Sequence, residues 1–442
     1  MRAADRLDPA RLAAALAPAR GGRLWIAYSG GLDSHVLLHA AAGLGRALGA
    51  ELRAVHIHHG LQTAADAWVA HCEQMCAALG VALDVRHLRL APAPGESLEA
   101  VARDARYAAF RALLSPGDCI ASAHHRDDQA ETLLLALLRG AGVHGLAAMP
   151  HSAALGAGRL LRPLLDLPRA ALVEYAAEHG LCWIDDPSNQ DPVRDRNRLR
   201  SLIIPSIKAR WPALDRTAAR TASHCAEAAA LLDGFADELL AGLGADAAGG
   251  LPAAGLLDLD AARRRLVLRR WLARQGFLPP PADRLQRIAD ELLPVAPDRQ
   301  PLVAWSGCEV RRHRRHIYAL APLPPAPPTM LEVGAAPVLV LPAGLGELSW
   351  ALAAAGQRQV SVGFGLPGLR CARQARPSAT LKALYQQAGV PAWLRPYVPL
   401  VLVDGQLAGA GGVALCGTAL GRLRWSGHPW QQRGWFAEEV SA

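Results

Sequence analysis

Between an apolar run, Leu24-Trp25-Ile26-Ala27-Tyr28, and a helical run starting at Ser34, the chain reads Ser29-Gly30-Gly31-Leu32-Asp33-Ser34. No other segment constrains the fold as tightly. Glycines let backbone approach an anion closely, and the free N–H groups of a starting helix then face phosphate oxygens. The hydroxyls of Ser29 and Ser34 add donors. Asp33 would repel phosphate unless a cation lay between them, which makes it a candidate magnesium ligand. The loop lacks the Gly-Lys-Ser/Thr of a Walker A motif. An ordinary strand-to-helix turn capped by serine is the plainer reading, but Ser-Gly-Gly-x-Asp-Ser is more specific than such a turn requires.

A strand feeding a helix through this loop begins a repeating pattern over residues 23–165. Strand-like runs at 52–58, 82–90 and 118–123 alternate with helical runs at 34–48, 68–79, 97–114 and 127–138. Such alternation implies right-handed crossovers and a parallel sheet covered by helices on both faces. Residues 215–320 read as helical. Residues 321–329, which contain Pro322, Pro324, Pro325, Pro327 and Pro328, read as a stiff extended linker. Beyond it, 338–341, 360–364 and 400–403 are short strands, 381–388 is a helix, and Asp404-Gly405 is a hairpin signal. The expected fold class is therefore α/β. It comprises a Rossmann-like parallel-sheet domain (1–214), a helical middle domain (215–320), the linker (321–329) and a small C-terminal α/β domain (330–442).

The chain has 442 residues, 51% hydrophobic and 19% charged, enough to bury several cores, which excludes general disorder. A net charge of +8 favours an anionic partner. Nearly all the basic residues are arginine; Lys208 and Lys382 are the two lysines. Eight scattered cysteines without a Cys-x-x-Cys pair give no zinc ribbon, iron–sulfur cluster or dithiol redox site. With thiols read as reduced, no export signal and no long apolar run, the expectation is a cytoplasmic protein with no membrane contact.

Further motifs gather at the strand ends. His56-Ile57-His58-His59-Gly60-Leu61 closes the second strand, where alternation turns His56 and His58 the same way. These histidines line a nucleotide pocket or pack at the strand end; without a nearby cysteine, zinc is the weaker reading. On the helix that follows the third strand, Arg103 and Arg106 are neighbours, placed to clamp phosphate. His124-His125-Arg126-Asp127-Asp128-Gln129-Ala130-Glu131 opens a helix at the carboxyl edge of the sheet, where open α/β sheets bind ligands. Carboxylates crowded on one helical turn need cations. Helix capping accounts for part of the cluster, and magnesium or a cationic substrate for the rest. Arg162-Pro163-Leu164-Leu165, Asp186-Pro187-Ser188-Asn189-Gln190-Asp191 and Asp195-Arg196-Asn197-Arg198-Leu199-Arg200 follow.

The Ser29–Ser34 loop resembles that of the PP-loop ATP pyrophosphatases, in which it binds the pyrophosphate of ATP. With the later motifs, Trp271 and its arginines, and Gly389-Val390-Pro391-Ala392-Trp393-Leu394-Arg395, nearly the whole chain is similar to the tRNA(Ile)-lysidine synthases. Arg194 stands where relatives often carry an aromatic residue. Lys382 lies in a stretch that is more densely basic in the family.

The resemblance implies an ATP-dependent ligase joining L-lysine to C2 of the wobble cytidine in the CAU-anticodon isoleucine tRNA, which changes codon reading from AUG to AUA. The cytidine C2 oxygen would attack the α-phosphate of ATP and release pyrophosphate; the lysine ε-amine would then displace AMP. The implied ATP site is Ser29, Gly30, Gly31, Leu32, Asp33, Ser34, His56, Arg103 and Arg106. Asp33 and Asp127 are the implied magnesium ligands, and Asp33, Arg106 and Asp127 the catalytic set. Asp128, Glu131 and Arg196 would hold lysine. Arg200, Arg269, Arg270, Lys382 and Arg395 would grip tRNA; for Arg196 and Arg200, the lysine carboxylate and the RNA backbone are both open. A homodimer is an allowed assembly. Two rivals are another PP-loop tRNA-modifying enzyme, such as a sulfur transferase, and a non-catalytic ATP-responsive RNA-binding protein. The missing Cys-x-x-Cys disfavours the first, and the intact acidic residues disfavour the second.

Overall fold

The computed structural model describes residues 5–58, 60, 65–88, 90, 98–185, 195–296, 299–331, 333, 337–353, 358–373 and 376–441. His59, Leu61, Arg194 and the segment 186–191 lie outside them. The chain divides into two compact units, the first running to Leu231 and the second beginning at Leu232.

The first unit is built on six strands: β1 (Arg23–Ala27), β2 (Glu51–His58), β3 (Ala82–His87), β4 (Cys119–Ala121), β5 (Ser152–Leu155) and β6 (Gly158–Leu161). Their order is β3-β2-β1-β4-β6-β5, all neighbours parallel except β5 and β6. Along β1, Leu24 and Ile26 join one buried cluster while Trp25 joins another. Successive side chains leave opposite faces of a strand, so both faces of this sheet are covered. Helices α1 (Pro9–Leu16), α2 (Leu32–Gly43) and α3 (Ala65–Ala78) bury Leu12, Leu16, Val36, Leu37, Cys72 and Cys76 on the first face. Helix α4 (Leu98–Leu113) buries Phe110 on the second.

The order of strands fixes where a ligand can sit. From β1 the chain moves to β2 and β3, then returns to place β4 on the other side of β1. The turns after β1 and β4 therefore flank one crevice at the carboxyl ends of the strands. From the first turn springs α2, and from the second α5 (Arg126–Leu138). A hollow of about 830 Å3 at the opposite edge, beside Gly22, Gly49 and Asp118, lies at the amino ends of the strands.

In the second unit, helix Ala261–Arg274 starts at Asp260, whose carboxylate accepts from the N–H groups of Ala262 and Arg263. It buries Val267, Leu268, Trp271 and Leu272. The middle region is helical, but residues 302–320 depart from the helical expectation. Leu302–Trp305, Cys308–His313 and His316–Leu320 form an antiparallel sheet with Leu251–Pro252. The reason is a two-residue period hidden by arginines: Cys308 and Val310 are fully buried on one face, while Glu309 and Arg311 pair with each other on the opposite, partly covered face.

Farther on, antiparallel strands dominate. Val338–Val340, Val360–Gly363, Leu400–Val403 and helix Leu381–Gln387 occur where the sequence pattern places them. Asp404 and Gly405 turn the Leu400–Val403/Gln406–Ala410 hairpin with φ of 50° and 75°, the left-handed pair its twist demands. One expectation fails: Cys371 and Cys416 are joined by a disulfide, so not every thiol is reduced. They are 45 residues apart, and only the folding of the chain brings them together.

Candidate active site

Gly31 is the N-cap of α2, and Gly30 before it has φ +84°. A side chain at Gly30 would be strained and would meet Ile184 Cδ1 at 2.9 Å and Cys72 Sγ at 3.1 Å. The serines brace the loop from within. Ser34 Oγ donates to the Gly31 carbonyl at 3.0 Å and lies 3.0 Å from Ser29 Oγ, while the Ser29 N–H donates to Ser34 Oγ at 3.2 Å. His56 is buried next to this loop, its Nδ1 3.0 Å from the Tyr28 carbonyl oxygen. Burial pushes its pKa down, so it is neutral.

Asp33 leaves the first turn of α2 toward the β4 turn. Its Oδ2 lies 3.7 Å from His125 Nε2, and its Oδ1 lies 3.6 Å from Arg169 Nε. Among the described residues, Oδ1 is nonetheless buried without a hydrogen-bond partner. His125, the N-cap of α5, is 1% exposed and also sits 3.4 Å from Asp128 and 3.9 Å from Asp127. Burial alone would lower its pKa; the carboxylates of Asp33, Asp128 and Asp127 outweigh that and raise it. One imidazole thus lies between Asp33, at the end of the Ser29–Ser34 loop, and the two aspartates of the acidic helix.

The crowded carboxylates meet cations of the chain itself. Asp127 accepts from Lys208 Nζ at 2.6 Å and from the Arg169 N–H at 2.9 Å. Glu131, 1% exposed, accepts from Arg196 Nε at 2.8 Å and Arg200 Nε at 2.7 Å. Asp128 accepts from Arg200 at 3.0 Å and Arg196 at 3.4 Å, and from the His125 N–H at 3.0 Å as a helix cap. Burial would raise the Asp127 and Asp128 carboxyls, but these partners hold both below the usual range. Arg169, Lys208 and His125 are site residues that the sequence reading left without a role. The signal for His125 was its place at the end of β4; Lys208 and Arg169 had none, lying 81 and 42 residues from Asp127.

His124 is pushed down to about 4, first by burial, then by the charges of Arg162, Arg196 and Arg106 against the opposing pull of Asp128. Arg103 is exposed, its guanidinium 5.5 Å over the Tyr107 ring.

The expected tRNA-binding residues lie in the second unit, apart from Arg200. Arg270 is tied to Asp237 at 2.7 Å and Asp233 at 3.0 Å, and Arg264 caps backbone carbonyls of 256, 257 and 259. Arg269 is exposed. Lys382 and Arg395 line one cavity together. Among the described residues no group of three or more His, Cys, Asp or Glu converges to hold a metal, and no helix is long and apolar enough to cross a membrane.

Three family models match the chain: a PP-loop domain over residues 7–207, a TilS substrate binding domain over 251–318 and a TilS substrate C-terminal domain over 360–425. The tRNA(Ile)-lysidine synthase of Methylococcus capsulatus is 43% identical over 402 residues, covering 89% of this chain and 92% of that protein. Its counterpart from Alkalilimnicola ehrlichii is 45% identical, covering 89% of each. That of Serratia proteamaculans is 42% identical over 88% of this chain and 91% of its own length.

Proposed function

Since the chain belongs to the tRNA(Ile)-lysidine synthase family, and so uses ATP to form lysidine on tRNA(Ile), we propose how its residues divide the work. The ATP polyphosphate lies on the N–H groups of 30–34, with Arg106 and Arg103 on its flank. The cytidine C2 oxygen bonds to the α-phosphorus as the bond to pyrophosphate breaks. The ε-amine of L-lysine then bonds to C2 as the C2–O bond to AMP breaks. Negative charge grows on phosphate in both steps, which arginines and loop N–H groups stabilise.

Asp33 fits a magnesium ligand, because its Oδ1 is buried yet lacks a hydrogen bond among the described residues. Asp127 fits the same role only once Lys208 moves off Oδ1. With so few carboxylates, the ion would take its remaining ligands from phosphates and water, the usual habit of Mg2+. Bound there, it would neutralise charge on the polyphosphate.

Lysine binding follows from charge exchange. Asp128 and Glu131 with Arg196 and Arg200 make a balanced quartet. An amino acid carries one ammonium and one carboxylate on its α-carbon. It can enter by giving its ammonium to Asp128 and Glu131 and its carboxylate to Arg196, leaving Arg200 for RNA. We further propose three parts with boundaries near 214, 320 and 329, the later two gripping tRNA through Arg269, Arg270, Lys382 and Arg395. The working location is the cytoplasm, and a homodimer is compatible with this scheme.

The observation that carries this reading is the bridge from Asp33 through His125 to Asp128, which joins the phosphate loop to the amino-acid quartet. The test is incubation with ATP, radiolabelled lysine and the CAU-anticodon isoleucine tRNA. Label entering the RNA only when ATP is present supports it; pyrophosphate release without lysine incorporation overturns it.

A further inference from the structure

In the second unit a cavity of about 400 Å3 lies between the hairpin of 308–320 and the segment 382–395. That size is ordinary for a small-ligand pocket. Arg312, Arg314, Lys382 and Arg395 line it with His313 and Trp393, and among the described residues no carboxylate does.

The arginines are fixed by groups that hold them without neutralising them. Arg312 donates to the Leu292 carbonyl at 3.0 Å and to that of Leu293. Arg314 donates to the Gln386 carbonyl at 2.7 Å, and Arg395 to that of Val390 at 3.4 Å. Arg314 also holds φ 54° at a hairpin tip, a left-handed position that costs a side-chain-bearing residue energy. The Trp393 Nε1 is buried with no acceptor among the described residues. Burial presses Arg312 and Arg395 toward lower pKa, yet guanidinium stays charged at any working pH. Four like charges held around one cavity repel each other until an anion enters.

We propose that this cavity is a phosphate-binding site, taking either a phosphate of the RNA or a free phosphate-bearing anion. Arg312 and Arg314 approach from the hairpin, Lys382 and Arg395 from the opposite segment. Trp393 lines the same cavity, so its indole reports on the occupant. Only the RNA source rests on the reading of this part as a tRNA grip.

The test uses the full chain with 15N-labelled tryptophan indoles, titrated with inorganic phosphate; the Trp393 signal is assigned by its loss in Trp393→Phe. A saturable shift of that signal is expected, with affinity roughly tenfold or more weaker in Lys382→Glu, whose side chain is exposed. No saturable shift in the unmodified protein, or equal affinity in the variant, overturns the site. If saturating tRNA abolishes the phosphate response, the occupant is an RNA phosphate; if the response persists, it is a free anion. The readout is independent of lysine incorporation, so a failure of the assigned chemistry leaves this result standing.

Discussion

Lys208 donates from Nζ to Oδ1 of Asp127 at 2.6 Å. It is one of two lysines among 47 Lys and Arg residues, and it occupies the oxygen that the proposed magnesium role of Asp127 needs. Lys208→Met should therefore free Asp127 for the ion and lower the magnesium concentration that gives half-maximal pyrophosphate release. An unchanged magnesium requirement with reduced activity would make Asp127 a structural group.

Asp33→Asn should reduce product formation by roughly 100- to 1,000-fold, the scale for losing one preorganised electrostatic partner. Its side chain takes no part in the buried clusters, so the thermal midpoint should stay within a few degrees. Near-normal activity in a well-folded variant would remove Asp33 from the metal role.

Glu131→Gln should damage the lysine step more than adenylation. A charge-assisted bond to the α-ammonium is worth on the order of 1.5–3 kcal/mol, or roughly 10- to 150-fold in affinity. The variant also leaves Arg196 and Arg200 short of a carboxylate, so modest thermal destabilisation should accompany it. Following pyrophosphate release and lysine incorporation across a lysine titration separates the effects. A collapse of adenylation that magnesium restores would assign Glu131 to the metal instead.

Asp118 gives a pH prediction. It is 4% exposed, which alone would raise its carboxyl, but the Ser115 N–H and the Arg23 side chain and N–H hold it below its usual value. A depressed folded pKa contributes stability that is full above the unfolded value of about 3.9 and disappears as pH falls through the folded value. Asp118→Asn should therefore cost about 1–3 kcal/mol at neutral pH and progressively less in acid. Melting curves from pH 7 to pH 2.5 check this; a constant difference would contradict the ionic origin.

A fragment ending at Leu231 should bind ATP as the full chain does and bind tRNA more weakly at one fixed salt concentration. Cutting at 214 instead should be worse for folding, because it removes Asp215, 9% exposed and 3.5 Å from Arg126. Equal tRNA affinity of the longer fragment and the full chain would show that the second unit contributes no grip.

The legible parts of this molecule were those whose cause is local. The Ser29–Ser34 loop, the alternation of β1 to β4 with helices, and the Asp404-Gly405 turn follow from residues adjacent in the chain. Arg169 and Lys208 did not announce themselves, because what they do depends on a carboxylate far away in sequence. The Cys371–Cys416 link is hidden in the same way. The 308–320 hairpin failed for another reason: arginine is a good helix former, and the unbroken basic run from 311 to 316 masks an alternation of two.

The quartet around Glu131 sets an order on biosynthesis. The sheet needs nothing beyond β6, which ends at Leu161, whereas the guanidiniums and ammonium that balance Asp127, Asp128 and Glu131 arrive with residues 196–208. A nascent chain emerging from the ribosome at that point carries three carboxylates on one helical turn and none of these partners. Ribosomes add roughly 5–20 residues each second, so this interval lasts seconds. The crevice acquires its balance of charge last, after the framework that shapes it, and ribosome-bound intermediates arrested before and after residue 208 should differ most in the exposure of α5.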